Sequence, residues 1–176
     1  MAGYVIHLAI GEEYTRKHKD DIKDKEEFVR GIIEPDKTTD KMKSHYGQKD
    51  LIGSLEKFLE SNEKEIDSDY IKGYFMHLFT DYIFYAKYFN LTHYYEEYDV
   101  TNKIIIEKYK VKVPKELEQY AKFVEGEPKH LKYHLLYKLI DEVTENKIRD
   151  IILKIKKGEM WWIQRLTLQE LKWKIQ

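Results

Sequence analysis

The sequence contains no cysteine. Disulfides, thiolate zinc ligands, iron–sulfur clusters and cysteine nucleophiles are therefore excluded, and any metal must be held by His, Asp or Glu. Proline is rare. Pro35, Pro114 and Pro128 all fall where the apolar pattern already breaks. There is no Asn-Gly or Asp-Gly pair and little valine, so the usual hairpin and strand signals are missing. No run approaches the ~18 consecutive apolar residues of a membrane span. Residues 1–13 lack a basic start, and His7 interrupts their apolar run, so they do not read as a signal peptide. The expectation is a soluble, intracellular, cytoplasmic protein. An excess of one charge is also absent. The 31 basic and 32 acidic residues leave a formal net charge of −1, which argues against both a polybasic nucleic-acid binder and an acidic tail protein.

What is present is helical in character. Lys, Glu, Leu and Ile recur with apolar spacings of three and four. The pattern predicts helices near 3–18, 24–33, 48–61, 67–89, 99–110, 115–124, 131–156 and 159–174. Residues 104–113 also fit a strand, although no partner strand is evident. With 176 residues and 14% aromatic content, the chain has the length of one ordinary domain and the means to build a core. The prediction is a single all-α domain over 1–176, a multi-helix bundle.

The helix expected over 67–89 has good caps in Asp67 or Ser68 and a body that is apolar nearly all round, which places it in the centre of a domain. Gly73, His77, Thr80 and Asp81 interrupt it. His77 and Asp81 are four residues apart, so on a helix they share one face with Cβ atoms ~5–6 Å apart. That spacing suits two ligands of one metal; it also suits a buried His–Asp hydrogen bond. Gly73, one turn earlier, marks a close approach of a substrate or of another helix. Three more candidates lie upstream. His7 sits in the first apolar helix, Asp36 after Pro35, and His45 in the loop Ser44-His45-Tyr46. Each has a plain alternative, respectively a core histidine, a turn residue and a solvated loop residue. Together the five give three imidazoles and two carboxylates, a set suited to a divalent transition metal.

The order His7, then Gly31-Ile32-Ile33-Glu34-Pro35-Asp36, then Ser44-His45, then Gly73-Tyr74-Phe75-Met76-His77-Leu78-Phe79-Thr80-Asp81-Tyr82 resembles the zinc-dependent phospholipase C family, which belongs with single-strand-specific zinc nucleases in a broader superfamily. The resemblance covers about residues 3–90 and implies an all-α fold. It also implies that His45, His77, Asp81 and Asp36 surround one zinc, and that Asp81 bridges to a second metal held by His7. Secreted members of the family use a processed N-terminal residue as a ligand. This chain keeps Met1, so that ligand is absent or replaced. The family's third zinc needs a later His-x-x-x-Glu, and neither His130 nor His134 has Glu four residues on. The expectation is thus one or two ions, zinc or another divalent transition metal. Asp36 is expected to act as general base. The reaction implied is hydrolysis of a phosphodiester or phosphomonoester, on a small phosphate ester or a phospholipid head group.

Other features carry less. Asp99 is expected to cap a helix beginning near Val100, His93 and His134 to lie near the site or on the surface, and His18 to be solvated. Eleven Phe or Tyr residues fall between Tyr74 and Tyr98, and these fit an aromatic core better than a wall for lipid or bases. Residues 154–174 are basic and carry Trp161, Trp162 and Trp173, which suits a closing helix or peripheral contact with an anionic membrane. Two other functions compete. One is a His-Asp type phosphohydrolase, whose adjacent His-Asp dipeptide this chain lacks. The other is a non-enzymatic helical binding module with a structural metal or a buried His–Asp pair.

Overall fold

The helix α5, Asp69–Ile83, organises the molecule. Ser68 caps it by accepting the Ile71 N–H at 3.2 Å. From Phe75 to Phe84 every residue is buried, as an all-round apolar helix requires. Its last stretch, Phe84–Tyr88, widens into a π-helical turn. The computed structural model describes residues 2–89 and 94–160. Helices make up about 67% of the chain, and no strand occurs among the described residues. The all-α expectation is met, and the strand alternative over 104–113 is not realised.

Around α5 pack α1 (Tyr4–Lys17), α2 (Lys25–Ile33), α4 (Ile52–Ser61) and α7 (Tyr133–Val143). The short α3 (Lys41–Ser44) follows α2, α6 (Tyr95–Tyr109) lies against α1, and α8 (Ile148–Lys156) against α4. The aromatic residues are core. Phe28, Phe58, Phe75, Phe79, Tyr82 and Phe84 are all buried in one hydrophobic cluster.

The contact between α2 and α5 is unusually close, and two glycines permit it. A Cβ on Gly73 would lie 2.0 Å from the Phe28 carbonyl oxygen, and one on Gly31 would lie 2.0 Å from that of Tyr70. Gly73 therefore serves helix packing. Asp24 starts α2 by accepting the N–H groups of Glu26 and Glu27, both at 3.1 Å. Pro35 has no N–H to continue the helix, and the chain tightens into a 3₁₀ turn, Glu34–Asp36.

Several boundaries differ from expectation. The helix foreseen over 131–156 is two helices, because the chain turns at residues 144–147. Thr144 Oγ1 bonds back to the Ile140 carbonyl at 2.7 Å, and the hydroxyl of Tyr14, far away in sequence, accepts the first N–H of α8 from Ile148 at 2.9 Å. Over 115–124 there is only a 3₁₀ segment, Lys115–Tyr120. Asn102 Nδ2 takes the carbonyls of Tyr120 and Lys122 in place of a helical ladder. The helix foreseen from residue 48 begins at Ile52, with residues 48–51 forming its approach turn. Asp99 does not cap a helix, since α6 already starts at Tyr95. His18 is half-buried rather than solvated, with Nε2 3.0 Å from the Thr144 carbonyl. His93, Trp161, Trp162 and Trp173 lie outside the described residues, as does almost all of the helix expected over 159–174.

Candidate metal centre

His7, Asp36, His45, His77 and Asp81 come together in the interior, each with a side chain no more than 1% exposed. Four elements deliver them: α1 carries His7, the 3₁₀ turn after α2 carries Asp36, His45 ends α3, and α5 carries His77 and Asp81. The solvated-loop alternative for His45 does not hold, because the residue is buried.

Each of two imidazoles is oriented by a main-chain carbonyl. His77 Nδ1 lies 2.7 Å from the Ile32 oxygen, and His45 Nδ1 lies 3.0 Å from the Lys41 oxygen. A carbonyl only accepts, so an Nδ1 that donates to it leaves Nε2 with the lone pair of a neutral ring; His45 Nδ1 also meets the Ser44 hydroxyl at 2.9 Å. Those two Nε2 atoms face each other at 3.1 Å. Two lone pairs at that distance repel unless a cation, proton or metal, sits between them. A ring nitrogen tied to a carbonyl is also how a metal-binding histidine is usually held.

The carboxylates complete the group. Asp81 Oδ2 is 3.3 Å from His45 Nε2 and 3.7 Å from His77 Nε2. Asp36 places one oxygen 3.6 Å from His45 Nε2 and the other 3.8 Å from His77 Nε2. Asp36 Oδ2 accepts no hydrogen bond from the described residues. The described residues thus hold two overlapping sets of three donors, Asp36–His45–His77 and His7–His77–Asp81, each able to hold a metal ion. His7 stacks on His77, with ring centroids 3.8 Å apart, and its Nε2 lies 3.5 Å from Asp81 Oδ1. Neither nitrogen of His7 has a hydrogen-bond partner among the described residues.

Charge reinforces the arrangement. Burial, helped by His7, holds His77 well below its ordinary value and therefore neutral. Burial pushes Asp81 up, but Lys49 and the His45 and His7 imidazoles more than offset it and hold the acid well below the carboxylate range. Asp36 is likewise raised by burial and brought below its ordinary value by His77, His7 and Lys49. Both acids are ionised donors at neutral pH.

Three further participants have no sequence signal. Lys49 Nζ lies 2.9 Å from Asp81 Oδ2. Lys41 Nζ lies 3.2 Å from Asp36 Oδ1, and the Ala2 N–H donates to Asp81 Oδ1 at 3.0 Å. Nothing distinguishes these two lysines from the rest of the 31 basic residues. His130 is exposed and paired with Glu97, and His134 is exposed on α7, so neither belongs to the centre.

Searches of known protein families, curated proteins and solved structures return no match to this chain. The functional reading therefore rests on the centre itself. No helix among the described residues is long and apolar enough to cross a membrane.

Proposed function

We propose that the protein is a metal-dependent phosphoesterase, with zinc as the best-suited ion, acting on a phosphodiester or phosphomonoester in the manner of the phospholipase C family. One observation carries the reading. His45 Nε2, His77 Nε2 and the Asp36 carboxylate form a set of three donors separated by 3.1 to 3.8 Å. Donors ~2.0–2.2 Å from a tetrahedral zinc ion are roughly 3.4 Å apart, so three protein donors of these dimensions suit the ion and leave its fourth position open. The sequence order of these residues gives the same reading independently.

A metal held there supplies a Lewis acid and a water whose pKa falls to about 7. The protein's own groups supply the rest. The Ile32 and Lys41 carbonyls fix the two imidazoles. Asp36, with one oxygen free of hydrogen bonds among the described residues, would take a proton from water. Lys41 steadies its other oxygen.

A second reading is a closed structural site, favoured by the near-complete burial of all five side chains. Against it, the centre has more donors than one four-coordinate ion uses, since His7 is buried with both nitrogens unpartnered among the described residues. The deciding experiment measures metal content and hydrolysis of aryl phosphodiesters, aryl phosphomonoesters and phosphatidylcholine vesicles together. Bound metal with turnover that His77→Ala and Asp81→Ala both abolish supports the phosphoesterase. Tightly bound metal with no turnover on any of the three leaves the structural site. A metal-free protein that refuses zinc removes both.

A further inference from the structure

We infer that Lys49 is a built-in second cation: the centre takes a single metal ion, and the Lys49 ammonium presents the second positive charge to a phosphoryl oxygen of the substrate. This rests on the phosphoesterase reading and narrows it.

The described residues offer too few donors for two full sites. His77 belongs to both donor sets, but its Nδ1 is committed to the Ile32 carbonyl, so only Nε2 is free to bind. An ion in the Asp36–His45–His77 set leaves just His7 and Asp81 for another. Asp81 Oδ1, the oxygen nearest His7, already accepts the Ala2 N–H at 3.0 Å. Two protein donors fall short of the three that a catalytic zinc site draws on.

Lys49 stands beside the other oxygen of Asp81. Its Nζ is buried and 2.9 Å from Asp81 Oδ2, yet the contact lacks hydrogen-bond geometry. An ammonium has three donors, and none is satisfied among the described residues. Lys49 lies in the turn between α3 and α4, and its Nζ is 6.0 Å from the Tyr85 ring centroid. A buried, under-used ammonium next to a metal donor is a site for an incoming anion.

The charge count agrees. Asp36 and Asp81 contribute two negative charges, and Lys41 and Lys49 two positive ones. One divalent ion brings the centre to a net charge of about +2, which a phosphate dianion balances, whereas two divalent ions would leave about +4 in a buried site.

The test pairs metal counting with binding of inorganic phosphate, measured by calorimetry on the zinc-loaded protein and on Lys49→Met, Lys49→Gln and Lys49→Arg. The expected result is about one zinc per chain in the parent and in all three variants. Phosphate affinity should fall about tenfold or more in Lys49→Met and Lys49→Gln, the worth of a charge-assisted hydrogen bond, and be largely kept in Lys49→Arg. Retained zinc shows that a variant has folded, and Lys49→Gln decides if Lys49→Met does not. Two zinc ions in the parent, or unchanged phosphate affinity in the charge-free variants, overturn the assignment of Lys49 while leaving the phosphoesterase intact. A parent that takes no zinc overturns the phosphoesterase reading and this one with it.

Discussion

His45 and His77 meet nitrogen to nitrogen at 3.1 Å, while the opposite nitrogen of each ring is tied to a main-chain carbonyl. Burying both rings in that opposition costs stability unless a cation joins them. The same feature makes the centre strongly dependent on its ion.

Chelation should therefore destabilise the protein. A ligand that binds only the folded state, at a hundred times its dissociation constant, adds about 2.7 kcal/mol. For a chain of this size that corresponds to a melting shift of several degrees. Thermal melts with zinc and with excess chelator measure it, and His77→Ala should lose the difference. Identical melts for the parent in the two conditions would sink the metal centre.

Gly73→Ala should be destabilising, although helix propensity alone favours alanine by about 1 kcal/mol. The added methyl would lie 2.0 Å from the Phe28 carbonyl oxygen, and that oxygen belongs to backbone that cannot swing aside. Separating α2 from α5 also carries the Ile32 carbonyl away from His77. The expected loss is about 1–3 kcal/mol, the usual cost of overpacking, together with weaker zinc binding. Denaturant melts and a zinc titration read the two effects. A variant as stable as the parent would mean that the helices do not cross this closely.

The features legible from sequence were local. His77 and Asp81 share a face because of their four-residue spacing, and Gly73 marks a close approach because mid-helix glycine is costly. His7, Asp36 and His45 were legible as chemical types, but only the tertiary fold brings them together. Lys49 was not legible at all. It reaches Asp81 because the chain reverses through Tyr46 and Gly47, both at positive φ, and nothing local marks that path. The break at Thr144 was hidden because Leu139, Ile140 and Val143 run on into Ile148, Ile151 and Ile152 with helical spacing. What fixes the break is the Tyr14 hydroxyl, 134 residues away in sequence.

Acid should unfold the metal-free protein in a defined order. The folded-state pKa of His77 is lowered, so its contribution is present above the ordinary value of 6.5 and is lost as pH falls below it. Asp36 and Asp81 are also lowered, and their contribution is lost further down, below the ordinary value of 3.8. In every case the unfolded chain binds protons that the folded one refuses, so stability rises with pH. Melting temperatures followed by circular dichroism should decline from about pH 6.5 downward, and His77→Gln should remove the upper part of that decline. A flat profile from pH 7 to pH 5 contradicts the neutral, buried His77.

Tyr82→Phe should stabilise the protein. Tyr82 is 1% exposed on α5, and its hydroxyl has no hydrogen-bond partner among the described residues. Burial pushes the phenol up to about 12, so at neutral pH it is an uncharged polar group left without a mate. An unsatisfied buried donor costs about 1–3 kcal/mol, and phenylalanine removes it while keeping the ring that fills the core. Since Tyr82 follows Asp81 directly, zinc content should be measured alongside thermal stability. A higher melting temperature with unchanged zinc is the expected outcome. A lower one would show that the hydroxyl has a partner in the folded protein, a bound water being the simplest, and that α5 relies on it.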